Sequence, residues 1–213
     1  MLVLGLDPSL TNFGWALHDD EKEGSDRCPA RGRFQTPSKM VFINRYCYMR
    51  ESLRELIQEH KPDYVGIEYP VFNDLWSEGM YGLFLYSCEA LKAEKIDVVF
   101  FSPMQVKVHA RLSLDRPKGW KMLKGDMVDA AKDDTGGKGR WNHNEADAYL
   151  VARTSARFWQ LHQGHINEDD LTEPEKKQFT KIHTYQRGKK AGETVRKGIL
   201  FRESERFFRW STL

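Results

Sequence analysis

Apolar and polar positions alternate in blocks along the chain. Residues 2–7 (LVLGLD) are apolar up to a closing Asp, residues 13–18 (FGWALH) form a second such run, and Pro8 to Asn12 between them are turn formers. This pattern predicts two strands joined as a hairpin. A third strand is predicted near 31–36 (RGRFQT). From 39 to 60 the period changes: Tyr46, Met49, Leu53, Leu56 and Ile57 recur at three- and four-residue spacing, which predicts a helix stopped by Lys61-Pro62-Asp63. A short buried strand, YVGIE (64–68), follows, again closed by a carboxylate. Residues 75–95, rich in Tyr, Leu and Phe, predict a helix, and VVFF (98–101) a further strand. A helix starting on Pro103, a favoured first-turn position, and another from Lys118 to Asp134 come next. The Gly-rich segment DTGGKGRWNHN then leads to an amphipathic helix from Glu145 to His162. No internal repeat is evident. Hairpin strands followed by strands alternating with helices predict an α/β protein, a mixed sheet with helices on both faces. The apolar periodicity fades between 165 and 175, dividing the chain into a core of residues 1–165 and an extension of residues 166–213.

Composition adds bounds to this picture. A chain of 213 residues is long enough for one sizeable core with an appendage. At 40% hydrophobic and 30% charged it has an ordinary soluble composition. No apolar run approaches the roughly 20 residues of a membrane span, and the N-terminus lacks the basic region and cleavage site of a secretory signal. Cys28, Cys47 and Cys88 are widely separated and odd in number, which argues against a disulfide framework or zinc site and for a reducing, cytoplasmic location. The net charge of +2 hides an asymmetry. Residues 171–213 carry 11 Lys/Arg against 5 Asp/Glu, and residues 1–170 carry 22 against 26. A basic tail on a mildly acidic body suggests an anionic partner, a solvated tail being the simpler alternative.

The carboxylates suggest chemistry. Asp7 closes the first strand, Glu68 closes the fourth, and Asp147 lies near the start of the last predicted helix. Sites in open α/β sheets form outside strand ends, so Asp7 and Glu68 could face one cleft. Ionised carboxylates brought together repel and raise one another's pKa, and a divalent cation relieves that repulsion. Magnesium prefers a few carboxylates together with water and phosphate oxygens, and two such ions about 4 Å apart can activate a water and stabilise the leaving oxygen of a phosphodiester. The alternative for Asp7 is a purely local role, capping the turn at 8–12.

With these residues in place, the sequence resembles the RuvC-type Holliday junction resolvases of the RNase H-like nuclease superfamily. The resemblance rests on LGLDPSLTNFGWAL (4–17), VGIEYPVF (65–72) and EADAYLVA (145–152), with a weaker match at SPMQVKVHA (102–110) and Lys124 to Val128. It covers residues 1–160 in order and spacing and implies an RNase H-like fold. Carried over by position, Asp7, Glu68 and Asp147 match the family's metal-binding acids, Lys107 and Lys124 its DNA-contacting lysines, and Phe72 an aromatic that probes the junction centre. The family's fourth ligand, an Asp or His three residues before the last acid, is Asn144 here, and His143 precedes it. Positions three and four back on a helix share a face with Asp147, whereas Glu145 at two back points away. Asn144 could thus be a fourth ligand or the helix N-cap. His143 could bind metal, assist proton transfer or be a surface loop residue. The resemblance further implies magnesium (with manganese able to substitute), two ions per site, and a homodimer that nicks a four-way junction symmetrically.

Other signals are less specific. Lys107, Arg111, Lys118, Lys121 and Lys124 form a basic run beside the acids that could supply phosphate contacts. TGGKGR lacks the pattern and preceding strand of a phosphate-binding loop; it reads as a basic segment able to touch DNA or as a plain loop. The stripe at 81–86 reads as core before partner surface. The tail mixes its cations with Tyr185, Phe201, Phe207, Phe208 and Trp210, enough aromatics to dock on the body or to stack on unpaired bases. The expected function is metal-dependent, structure-selective cleavage of Holliday junctions and other branched DNA by paired nicks. The alternatives are a nucleic-acid-binding protein of the same fold that acts on RNA or lacks robust cleavage, and an actin-like ATPase. The last expects a longer chain with glycine-rich phosphate loops in both halves.

Overall fold

A computed structural model describes residues 1–69, 78–137, 139–179, 182–184, 194–196 and 199–201. Its elements in chain order are β1 (Leu2–Asp7), β2 (Asn12–Asp19), β3 (Arg31–Gln35), α1 (Phe42–His60), β4 (Tyr64–Glu68), α2 (Glu78–Ala93), β5 (Val98–Phe101), α3 (Pro103–Ser113), α4 (Lys124–Asp134), α5 (His143–His162), α6 (Glu173–Phe179), β6 (Ile182–Thr184), β7 (Thr194–Arg196) and β8 (Ile199–Phe201). One sheet has the order β3-β2-β1-β4-β5-β8. β1 runs antiparallel to β2 and parallel to β4, β4 parallel to β5, and β8 antiparallel to β5. β6 and β7 pair separately. The fold is α/β, as the patterning predicts.

Strand alternation divides the core into two layers. Leu4 and Leu6 of β1, Val65 and Ile67 of β4, and Val98 and Phe100 of β5 pack with Met49, Leu53, Leu56 and Ile57 of α1 and Leu83 and Leu91 of α2. On the opposite face, Val99 and Phe101 pack with α3, α4 and the long α5, where Tyr149, Leu150, Val151, Phe158 and Trp159 are buried. The predicted stripe at 81–86 is split by its helix: Leu83 and Phe84 are core, while Tyr81 and Leu85 face outward.

The approach of α5 to the sheet is set by glycines. A methyl group on Gly5 would collide with the Ala148 carbonyl oxygen and the Ala152 amide, and would lie 2.8 Å from Ala152 Cβ. One on Gly66 would meet Ser155 Cβ at 2.8 Å, and one on Gly14 would meet the Asn144 carbonyl carbon at 2.7 Å. The helix therefore lies with its backbone almost on the strands, crossing β2, β1 and β4 in turn. A buried polar chain pins it from the side. Tyr149 OH donates to Asp134 Oδ2 at 2.5 Å and accepts from His18 Nδ1 at 3.1 Å, which fixes the Nδ1–H tautomer. Arg27 and Arg153 pair with Asp134 at 2.8 and 3.4 Å. Burial, foremost, holds His18 down at about 4, so it is neutral here.

Some boundaries differ from the patterned ones. The helix expected from Lys118 starts at Lys124, because Pro117–Trp120 form a tight turn with Gly119 at φ +92° and Trp120 N–H bonded to Pro117 O at 3.0 Å. The last helix starts at His143 and its N-cap is Asn142, whose side chain accepts from the Asn144 amide at 3.0 Å. Asn144 is thus not the cap. α6, absent from the patterning, packs on the body through Glu175 and Phe179, the latter against Phe101 and Phe158, and Leu171 just before it is buried too. Glu175 accepts from the Thr172 amide and hydroxyl at 2.8 Å each and lies 3.4 Å from His109 Nε2. Of the tail aromatics only Phe201 falls within the described residues, on β8.

Two outcomes follow from this packing. Gly5→Ala overpacks a site bounded by backbone, a change that typically costs about 1–3 kcal/mol; at about 2–4 °C per kcal/mol for a chain of this size, thermal unfolding should shift down by roughly 2–12 °C. Burial alone would raise the Glu175 carboxyl, but its contacts with His109 and Thr172 hold it at about 2. A folded pKa below the ordinary 4.5 means that the stabilisation is complete above pH 4.5 and is lost as pH falls from there through about 2. Melting curves between pH 7 and 2.5 should therefore show an acid loss that Glu175→Gln, already destabilised at pH 7, lacks in part.

Candidate active site

Two tripeptides build the floor of the site. Gly5-Leu6-Asp7 ends β1 and Gly66-Ile67-Glu68 ends β4. In each, the middle residue points into the α1/α2 layer, so the glycine and the acid point toward α5. The strands are parallel with Gly5 beside Gly66 and Leu6 beside Ile67. Asp7 and Glu68 therefore end adjacent strands side by side, with backbones about 4.8 Å apart. Asp147 comes from above: it lies between Asn144, seated on Gly14, and Ala148, seated on Gly5, and Gly14 is the β2 partner of Asp7.

The electrostatics reflect this convergence. Asp7 is raised well above the ordinary carboxylate value by burial first, then by repulsion from Glu68 and Asp147, with Lys124 opposing. Glu68 is pushed up to about 7 by burial and by Asp147, against Lys107. Asp147 is raised by burial, with Lys107, His143 and Lys124 pulling it down. Three acids, two lysines and His143 thus act on one another across the carboxyl ends of the strands. Lys107 comes from α3 and Lys124 from the first turn of α4.

The donor set suits a hard cation. Carboxylates held close in a poorly solvated cleft lack positive charge, and a divalent ion would supply it. Among the described residues, no three His, Cys, Asp or Glu side chains form a ready ligand set. The acids are nonetheless hard oxygen donors, the type that a divalent cation shares with water and phosphate oxygens.

The remaining expected site residues divide. His143 is exposed and acts on Asp147. Asn144 is turned to the sheet, where its Nδ2 donates to the Asn12 carbonyl oxygen. Arg111 in the last turn of α3, and Lys118 and Lys121 in the α3–α4 connection, lie outside the group that acts on the acids; Arg111 Nη1 donates to the Arg116 carbonyl at 2.8 Å. Phe72 lies outside the described residues. The TGG segment closes α4: Gly136 N–H bonds to Asp133 O at 3.3 Å and Gly137 N–H to Lys132 O at 2.6 Å, so those amides terminate a helix. Two arginines beside the site escaped the sequence reading. Arg31 and Arg33 of β3 reach Glu145 at 3.6 and 3.5 Å, and Arg31 lies 3.9 Å over the Trp141 ring. Their i, i+2 spacing on an edge strand was the available signal. Glu145 does point away from Asp147.

Comparison with known proteins places this geometry. No family model matches the chain. The crossover junction endodeoxyribonuclease RuvC of Rickettsia typhi is 36% identical over 73 residues, 34% of this chain and 46% of that protein. The chain thus spans less than half the length of the curated relatives it matches. Thermus thermophilus RuvC, solved in complex with a Holliday junction substrate, superposes with a TM-score of 0.62 at 18% identity, covering 76% of this chain and 96% of that one. The fold is that of RuvC. The yeast mitochondrial Holliday junction resolvase follows with a TM-score of 0.53 at 15% identity, covering 76% of this chain and 82% of that one. The RuvC-type, RNase H-like architecture therefore extends over three quarters of the chain, well beyond the stretch of detectable sequence similarity.

Proposed function

We propose that this chain is a metal-dependent endonuclease that resolves Holliday junctions and other branched DNA by paired hydrolytic nicks. The observation that carries the reading is the half-buried, mutually repelling Asp7–Glu68–Asp147 array, two acids at the carboxyl ends of β1 and β4 and the third on α5 above them. The names of its relatives in sequence and fold support the substrate class. Asp7, Glu68 and Asp147 would hold magnesium or manganese, two ions per site, and the bound metal would activate water and stabilise the leaving oxygen. Lys107 and Lys124 offset the charge of an incoming phosphate next to the acids, and Arg111, Lys118 and Lys121 extend that contact along the strand. His143, exposed and near Asp147, is placed to move a proton. Asn144, its amide tied to β2, instead positions the start of α5.

The same reading extends to assembly. Val41, Phe42, Ile43, Tyr81 and Leu85 are exposed apolar residues of the α1/α2 layer, opposite α5, which supports a homodimer formed through that layer. The three cysteines are free and no helix among the described residues is long and apolar enough to cross a membrane, which supports action in the cytoplasm. Beyond α6, the basic extension is an additional DNA contact.

Asp7→Asn, Glu68→Gln and Asp147→Asn should each abolish magnesium-dependent cleavage of a four-way junction while leaving junction binding intact. A folded Asp7→Asn protein that cuts at the wild-type rate would falsify the site assignment. For the fourth position, His143→Ala should lower the single-turnover nicking rate by the 10²- to 10⁴-fold typical of a lost acid–base group. Asn144→Asp, which loses the amide donor to Asn12, should not raise it. A wild-type rate for His143→Ala would remove His143 from the chemistry.

A further inference from the structure

The α3–α4 connection carries two exposed apolar side chains among its cations, and a third stands in the first turn of α3. Met104 is 66% exposed, Trp120 46% and Leu123 61%. Around them stand Lys107, Arg111, Arg116, Lys118, Lys121 and Lys124, none of which makes a salt bridge among the described residues. The acids in the stretch are few: Asp115 in the turn after α3, Asp126, whose carboxylate accepts from the Leu123 amide at 2.8 Å, and Asp129 on α4. Met104 and Leu123 border the proposed site. Met104 lies one helical turn before Lys107, and Leu123 immediately precedes Lys124, the two lysines that act on Asp147.

Trp120 is presented deliberately. It closes the Pro117–Trp120 turn, whose backbone is set by its hydrogen bond and by Gly119 at φ +92°. The Arg116 guanidinium lies 5.1 Å from its ring centre, a cation–π contact that steadies the indole. An exposed aromatic ring in a cationic field fits a nucleobase joined to phosphates better than it fits an apolar protein face.

We propose that Trp120 is a stacking platform for an unpaired base near the branch point, with Leu123 of the same connection as its apolar neighbour and Lys118 and Lys121 holding the adjoining phosphates. This rests on the branched-DNA reading and adds to it a determinant of structure selectivity. A base presents its π-face only where the duplex is open, so the platform favours junctions over linear duplex.

Equilibrium binding of the full-length wild type, Trp120→Ala, Trp120→Phe and Lys118→Ala, without divalent metal, to a four-way junction and a linear duplex at several salt concentrations tests this. Trp120→Ala should weaken junction binding about 5- to 150-fold, the range for one stacked base. Its salt slope, duplex affinity and melting temperature should stay unchanged, and Trp120→Phe should retain most of the affinity. Lys118→Ala should flatten the log-affinity against log-salt slope by about 0.9. Wild-type junction affinity in Trp120→Ala, or an equal loss on junction and duplex, overturns the platform while leaving the nuclease reading standing. Unchanged DNA affinity with an altered oligomeric state assigns the face to a protein contact and overturns it equally. A wild type that neither binds nor cuts branched DNA overturns the nuclease reading, and the platform with it.

Discussion

The structure depends on how closely α5 can lie on its sheet. A helix normally packs on strands through a layer of side chains on both sides. Here the strand side has been deleted at Gly14, Gly5 and Gly66, and the helix side answers with small residues, Ala148, Ala152 and Ser155. Helix backbone meets strand backbone. Asp147 is consequently lowered onto the level of Asp7 and Glu68, which matters because the two aspartates carry their carboxylates on a single methylene and have little reach to close a gap. The glycines are thus as much a part of the acidic array as the acids, although none of them carries a reactive atom.

The array opposes folding. Burial and repulsion disfavour three anions in one cleft, and the fold holds them there by stabilising α5 elsewhere. Eleven of its side chains are buried, and the His18–Tyr149–Asp134 chain anchors its middle with hydrogen bonds and two arginines. α6 adds a further contact near its C-terminal half, where Phe179 packs on Phe158 and Arg157 Nε lies 3.4 Å from Glu175. Electrostatic strain at one end of the helix is balanced by apolar and polar packing along the rest.

Much of this was legible in the residues. Alternation and three- to four-residue periodicity marked β1 to β5 and α1 to α5, and Pro103 marked the start of α3, where the structure adds a Ser102–Gln105 capping box. The strand-end position of Asp7 and Glu68 was evident, and the repeated Gly-x-acid tripeptide could have shown that both acids face α5. What patterning could not reach depends on contacts distant in sequence or on single backbone angles. Gly119 in a left-handed conformation delays α4 by six residues. Asn142 and not Asn144 caps α5, because Asn144 is drawn to Asn12 on another element. α6 is two turns long, too short for periodicity, and is held by Phe101 and His109 from the body. β8 joins the sheet by backbone pairing with β5, which leaves no compositional trace.

The placement of Asp147 on the most deeply packed helix has a dynamic consequence. Segments of low local stability open many times before a protein unfolds, and amide hydrogen exchange follows those openings. α5 belongs to the opposite class, since its departure from the sheet would expose both core layers' shared floor. Its central amides should exchange only by global opening, and the mutual geometry of the three acids should persist for the lifetime of the native state. Any motion needed to admit a substrate then falls to the connections around the cleft, not to the acids themselves.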